Sequence, residues 1–326
     1  MTDIKMTNQP PKILSSVDLA GAPEALDCLT EAGKLICTTP ERDKILPLLK
    51  DVDAYLASAA VRVDREFLDA APKLKIVGSP STGTDHLDLE ELKKRCITVF
   101  DIATEFDLLN QFTATSELAF SLILSLVRQT IPASLAAREG IWARERFSGF
   151  QLHGKTMGIL GLGRLGKITA RIAQGFGMNV ITHDPARPFA EKVQHVTFEE
   201  LLSESDILSI HIHLNADTEG IIGKEALSLM KPSALLINTS RGKIVDETAL
   251  LEALVLGQLA GAGLDVIDGE WMEQDELKHH PLIEYSRLNN NLLIVPHIGG
   301  ATKESINLAR IFMAKKILNY LSISQH

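Results

Sequence analysis

Cysteine is scarce. Three residues, Cys28, Cys37 and Cys96, are spread over 326 positions without metal-ligand spacing. That excludes a disulfide framework and a cysteine-based metal site, and reads as reduced core thiols of a cytoplasmic protein. Positive charge is also in deficit: 33 Lys and Arg stand against 42 Asp and Glu, for a net charge of −9 and a pI near 5.6. Such a balance argues against nucleic acid or an anionic membrane surface as the main partner. Long apolar runs are missing too. The longest, Leu118–Val127, is too short to span a bilayer, and the first residues, MTDIKMTNQPP, hold no apolar signal region. Neither a tandem repeat nor a low-complexity linker interrupts the chain. What remains is a globular protein, 45% hydrophobic and long enough for a core in each of two domains.

Short β-like runs alternate with helical patterns from end to end, which predicts parallel sheets covered by helices. A first set comprises Lys12–Ser16, Ala54–Ser58, Lys75–Ser79 and Thr98–Ile102. Helices are expected between them at Pro23–Ala32, Arg42–Leu49, Arg65–Ala70 and Leu89–Arg95. One long, largely apolar helix is expected over Phe112–Arg138, its greasy surface suited to burial against another domain or subunit. A second set of six strands follows: Met157–Leu160, Asn179–Thr182, Ile207–Ile210, Ala234–Asn238, Gly261–Val266 and Leu292–Val295. A last helix is expected over Lys303–Leu321.

The richest stretch is Thr156–Gly166, TMGILGLGRLG. An apolar strand runs into Gly161, Gly163 and Gly166, a helix follows, and eighteen residues past Gly166 a second strand ends at Asp184. The first glycine permits the tight turn, the second lets a pyrophosphate approach the backbone, and the third lets helix pack on strand. The phosphates meet the free N–H groups and positive end of the helix dipole. An acid on the second strand accepts hydrogen bonds from a ribose diol and repels a 2′-phosphate, so Asp184 favours NAD over NADP. Strand, glycines, helix, strand and acid in this order predict a dinucleotide-binding domain.

Three later strands end in polar groups: Asn238 leads to Thr239-Ser240-Arg241-Gly242, Val266 to Ile267-Asp268-Gly269-Glu270, and Val295 to Pro296-His297-Ile298-Gly299-Gly300. Ligands bind beyond the carboxyl ends of strands in open α/β sheets, so Arg241, Glu270 and His297 can converge on one crevice. Oxidising an alcohol requires a base near neutral pH, which suits His297. A carboxylate on its second nitrogen would fix the tautomer and raise the histidine pKa. Glu270 is the first choice for that carboxylate, with Asp268 and Glu273 close enough to serve. An arginine holds a substrate carboxylate through two parallel hydrogen bonds. His279 and His280 lack an acidic or cysteine partner at ligand spacing; no metal site is expected, and a solvated loop is the reading for them.

With these motifs and the stretches LLSESDILSIHIHL (201–214), MKPSALLINTSRGKIVDETAL (230–250), LAGAGLDV (259–266) and PHIGGAT (296–302), the chain resembles the D-isomer-specific 2-hydroxyacid dehydrogenases over nearly its whole length. The resemblance implies two Rossmann-like α/β domains with parallel sheets. The NAD-binding domain, 106–298, would be inserted in a discontinuous, flavodoxin-like substrate domain, 1–105 with 299–326, around a cleft. It places the active-site arginine at Arg241, the carboxylate at Glu270 and the acid/base at His297. It implies Arg164 and Leu165 at the pyrophosphate, Asp184 at the adenosine ribose, Thr239 and Arg241 on the nicotinamide side, and Asp265 at the carboxamide, with His297 and Gly300 also lining the cofactor. Ser81, Thr82 and Gly83, before Thr84, match the loop whose backbone N–H groups meet the substrate carboxylate. The family is usually homodimeric through the long helix. The implied reaction interconverts a small D-2-hydroxy acid and its 2-keto acid. The alternatives are D-3-phosphoglycerate oxidation and a dinucleotide-binding corepressor. Ser58-Ala59-Ala60-Val61, where phosphoglycerate enzymes often carry an arginine, disfavours the first, although Arg62 lies close; intact Arg241, Glu270 and His297 disfavour the second. Two stretches look longer than the family pattern, one around Phe106-Asp107-Leu108-Leu109 and one from Trp271 to His297, and either could wall the substrate site and tune specificity.

Overall fold

A computed structural model of the chain describes residues 9–185, 193–270, 272 and 274–323. Among them, packing divides the chain into a unit that runs to Phe112 and resumes at Thr302, and a second unit, Thr113–Ala301, between.

The first unit holds β1 (Lys12–Ser15), β2 (Lys34–Cys37), β3 (Ala54–Leu56), β4 (Ile76–Gly78) and β5 (Thr98–Phe100), all parallel in the order β2-β1-β3-β4-β5. That is the flavodoxin-like order, with its topological switch between β1 and β3. Successive side chains feed opposite faces: Ile13, Ala54, Leu56 and Ile76 join one core cluster, while Leu14, Tyr55 and Val77 join another. The first cluster is completed from the far end of the chain. Helix Lys303–Ile323 contributes Ala309, Met313, Ala314, Ile317 and Leu321. Met313 and Ile317 lie against Gly78, where a Cβ would come within 2.9 Å of the Met313 side chain.

The second unit holds β6 (Thr156–Leu160), β7 (Asn179–His183), β8 (Gln194–His195), β9 (Ile207–Ile210), β10 (Leu235–Asn238), β11 (Gly261–Leu264) and β12 (Leu292–Ile294). They are parallel in the order β12-β11-β10-β9-β6-β7-β8, which switches between β6 and β9. Strands β9, β10 and β11 are buried along their whole length, as in a sheet covered on both faces. Met157, Ile159, Ile207, Leu235 and Ile237 face one cluster; Leu160, Leu208, Ile210, Leu236 and Leu264 face the other.

Four expectations are corrected. Strands β2 and β8 were not anticipated: both lie at sheet edges, and Gln194–His195 has no apolar pattern. The long helix of Phe112–Arg138 is two helices, Ala114–Val127 and Thr130–Arg138, bent by 62°. Gln129 adopts a left-handed φ of 49° at the break, and Pro132, which has no N–H for a helical bond, sits in the first turn beyond it. The Val127 carbonyl instead accepts the Phe150 N–H at 3.2 Å. Phe106–Leu109 forms a short helix, not an open loop, and buries Leu108 and Leu109 in the first unit's core. Of the three cysteines only Cys28 packs against a core cluster. Cys37 and Cys96 are exposed and Cys28 is half-buried, Cys37 because it ends an edge strand and Cys96 because it sits in a left-handed turn after a helix.

Among the described residues no single helix is long and apolar enough to cross a membrane. Because Ile317 is fully buried between helix and sheet, Ile317→Ala is expected to cost about 2–5 kcal/mol in chemical denaturation of the first unit.

Candidate active site

The parallel register aligns six strand ends across the second sheet. Leu160 pairs with His183 and Ile210, Ile210 with Asn238, Asn238 with Leu264, and Leu264 with Ile294. The residues that follow, Gly161, Asp184, His211, Thr239, Asp265 and Val295, therefore form one row along the carboxyl edge. Adjacent strands stand about 4.8 Å apart, so groups on neighbouring strands are within side-chain reach.

At the switch between β6 and β9, Gly161 takes a φ of 92°, and a Cβ there would come within 2.8 Å of the His211 carbonyl oxygen. A Cβ on Gly166 would overlap the Gly161 carbonyl, so the helix can start this close to the strand only with glycine. Gly163 caps helix Arg164–Gly175, whose free N–H groups open onto the turn. Asp184 accepts the Leu162 N–H at 2.8 Å, which ties the end of β7 to the glycine turn. Burial pulls the Arg164 guanidinium below its ordinary pKa, and Leu165 fixes the helix start by accepting the Ser116 hydroxyl at 3.1 Å.

The turn after β10 is built by a residue the sequence reading passed over. Asn238, fully buried, donates to the Arg241 carbonyl at 2.9 Å and accepts the Ser240 N–H at 3.0 Å. Ser240 Oγ reaches back to Ile210 O at 3.0 Å, and Arg241 folds one guanidinium nitrogen onto Ser240 O at 2.8 Å. Gly242 was also missed. A Cβ there would overlap the backbone of Ile267 and Asp268, so the turn carrying Arg241 lies directly on the segment leading to Glu270.

His297, two residues past Val295, is the least ordinary residue of the site. Its φ is 50°, a left-handed conformation uncommon for a residue with a side chain. Asp265 holds it there: the Asp265 carbonyl accepts the His297 N–H at 2.8 Å, and its carboxylate accepts the N–H groups of Ile298 at 2.6 Å and Gly299 at 2.9 Å. Gly299 is the crowded glycine of the pair, with a would-be Cβ 2.7 Å from Asp265; Gly300 opens onto space. Burial raises the Asp265 carboxyl pKa against those two N–H bonds, which lower it.

His297 Nδ1 lies 2.9 Å from Glu270 Oε1. A carboxylate only accepts, so Nδ1 carries the hydrogen and Nε2 is left for chemistry. This bond to Glu270 is the main cause that raises the His297 pKa; burial opposes it, the charge of Asp265 adds to it and Arg241 counters it. Arg241, Asp265, Glu270 and His297 are thus brought together, and Glu270, not Asp268, faces the imidazole. Glu273 and Trp271 lie outside the described residues. His280 is not solvated as expected: its side chain is 9% exposed and caps helix Pro281–Ser286, while His279 is open to solvent.

In the first unit, Gly83 gives its N–H to Ser81 Oγ at 3.2 Å, Thr82 is exposed, and Ser79 beneath them bonds His86 Nε2 at 3.2 Å. Among the described residues no cluster of three His, Cys, Asp or Glu could hold a metal ion.

Two polar atoms on the second sheet's row, Thr239 Oγ1 and His211 Nδ1, are buried with no hydrogen-bond partner among the described residues. Burying such a group unpaired costs about 1–3 kcal/mol, which a polar ligand at the strand ends would relieve. With the close-packed glycine turn, these orphans fit a dinucleotide.

Comparison with known proteins agrees. The NAD-binding domain of the D-isomer specific 2-hydroxyacid dehydrogenases matches residues 120–299, and the catalytic domain of the same family matches 13–148. Glyoxylate reductase of Thermococcus litoralis is 39% identical over 86% of this chain and 84% of its own length. D-3-phosphoglycerate dehydrogenase of Mycobacterium leprae is 36% identical over 85% of this chain, which spans only 51% of that enzyme. The solved D-lactate dehydrogenase of Aquifex aeolicus, complexed with NAD and lactic acid, superposes with a TM-score of 0.80 at 27% identity, covering 96% of each chain. The chain belongs to the D-isomer specific 2-hydroxyacid dehydrogenase family. It is an NAD-dependent oxidoreductase of D-2-hydroxy acids, with two parallel-sheet α/β domains.

Gly166→Ala would force the helix away from the Gly161 carbonyl. It is expected to weaken NADH binding at least about tenfold in a fluorescence titration.

Proposed function

We propose that this enzyme reduces a small, unphosphorylated 2-keto acid to the D-2-hydroxy acid, with His297 delivering the proton. The observation that carries the reading is the 2.9 Å bond between His297 Nδ1 and Glu270 Oε1. NAD supplies the hydride carrier. Glu270 keeps Nε2 facing outward and stabilises the imidazolium, so His297 is held protonated above the usual histidine pKa. A protonated His297 can give its Nε2 proton to the carbonyl oxygen as that oxygen gains charge. In the reverse direction the same nitrogen takes the hydroxyl proton. Arg241 serves the substrate carboxylate, and Ser81, Thr82 and Gly83 are assigned to it by family resemblance. Asp184 is assigned to the adenosine ribose, Arg164 and Leu165 to the pyrophosphate, and Thr239, Asp265 and Gly300 to the nicotinamide end.

Ser58-Ala59-Ala60-Val61, just beyond β3, holds no cation before Arg62, and this supports an unphosphorylated substrate. There the Ser58 N–H donates to Ser16 Oγ at 3.0 Å and the Val61 N–H to the Ser58 carbonyl at 3.1 Å, in a tight turn of small side chains. The glyoxylate reductases among the relatives support the same class. The reading also makes the enzyme cytoplasmic and homodimeric. Leu135 and Trp142, 56% and 90% exposed beyond the helix break, support an apolar contact with a second copy.

NADH consumption across glyoxylate, pyruvate, hydroxypyruvate and phosphohydroxypyruvate is expected to favour an unphosphorylated acid. His297→Ala should lower kcat about 10²–10⁴-fold; turnover that survives His297→Ala would overturn the assignment. Reduction needs imidazolium, so its rate should fall as pH rises through the His297 pKa. Glu270→Gln removes the group that raises that pKa and should move the falling limb to lower pH. Leu135→Glu is expected to give a monomer by light scattering.

A further inference from the structure

Glu270 meets His297 through one oxygen. Its other, Oε2, is buried and has no hydrogen-bond partner among the described residues, so the carboxylate is aimed by its main chain and not by a second side-chain bond. That main chain is fastened two residues earlier. The Asp268 N–H donates to Glu247 Oε1 at 2.7 Å, and the Asp268 carbonyl lies 3.1 Å from His280 Nε2. His280 Nε2 is also 3.1 Å from Glu247 Oε2. The tautomer follows from the cap: the Leu282 N–H donates to His280 Nδ1 at 3.3 Å, so Nδ1 is bare and the hydrogen sits on Nε2, where both acceptors are. Beyond Asp268 the chain turns through Gly269, at a φ of 78°, and arrives at Glu270.

We propose that Glu247 and His280 are positioning residues for the acid–base pair. They grip both polar groups of the Asp268 backbone, so that Gly269 delivers Glu270 to His297 in hydrogen-bonding register. Glu247 opens helix Glu247–Val255 and His280 caps helix Pro281–Ser286, so two fixed elements hold the segment from one side. On the other side it rests on Gly242, next to Arg241. The clamp therefore also sets the spacing between the arginine and the carboxylate. This inference rests on the reading of His297 and Glu270 as the acid–base pair.

His280 does two jobs, and His280→Asn separates them. Asparagine is a preferred helix cap, but its side chain is too short to accept the cap bond and still reach Asp268 and Glu247. The test is an NMR titration of the His297 imidazole in the full-length protein, with kcat and the NADH dissociation constant measured alongside. In His280→Asn we expect near-normal melting and NADH binding, a His297 pKa moved down towards that of Glu270→Gln, and kcat lower by about tenfold or more. The double variant should titrate like Glu270→Gln alone, because the bond the clamp secures is already gone. Glu247→Asp, which keeps the charge but shortens the arm, should shift His297 in the same direction. An unchanged His297 titration in His280→Asn and Glu247→Asp, with Glu270→Gln shifted, would overturn the clamp and leave the acid–base pair intact. An unchanged titration in Glu270→Gln would overturn both.

Discussion

The site depends on one buried carboxylate. Asp265 follows β11 directly and binds three consecutive backbone N–H groups, those of His297, Ile298 and Gly299, with its own carbonyl and its two carboxylate oxygens. Left-handed backbone at a histidine is unfavourable by roughly 1 kcal/mol or more, and charge-assisted bonds of this kind outweigh it. The imidazole is thereby directed along the carboxyl edge of the sheet, towards Glu270, when the relaxed alternative would send it elsewhere. The cost of burying Asp265 appears as its raised pKa. A group resembling a cofactor contact thus has a structural task before any cofactor arrives.

Close backbone approach is the second constraint. Gly166 against Gly161, Gly242 against Ile267 and Asp268, and Gly299 against Asp265 each occupy a place where a Cβ would collide with a neighbour. The first brings a helix start down on a strand, the second stacks the Arg241 turn on the Glu270 segment, and the third seats the histidine loop. Side chains at these points could not be accommodated by rotamer changes where the opposing atoms are main chain. The geometry of the row is consequently set by peptide packing, and the polar side chains inherit their positions from it.

Much of this was legible before any coordinates. The short apolar strand runs, the glycine turn with Asp184 at its fixed distance, and the polar strand ends at Arg241, Glu270 and His297 all follow from local pattern. What escaped reading is tertiary or conformational. Gln194–His195 becomes a strand only because β7 lies beside it. The break at Gln129 was foreshadowed by Pro132, but the apolar pattern running across it masked the signal. The left-handed φ of His297 and the anchoring by Asp265 arise between segments far apart in sequence. His280 sits in a polar run that reads as solvated, and only the fold brings it to Glu247, itself the first residue of a helix thirty-odd positions earlier.

The insertion of one unit into the other has a consequence for biosynthesis. Ala25, Leu29, Ala54 and Ile76 share a core with Met313 and Ile317, so the unit begun first cannot be sealed until helix Lys303–Ile323 leaves the ribosome. Thr113–Ala301 has its own clusters and emerges whole in the meantime. At about 5–20 residues per second, the early five-stranded sheet waits for some tens of seconds with one apolar face uncovered. Over that interval the nascent chain offers chaperones a greasy surface that the folded unit conceals, and helix Lys303–Ile323 decides when it disappears.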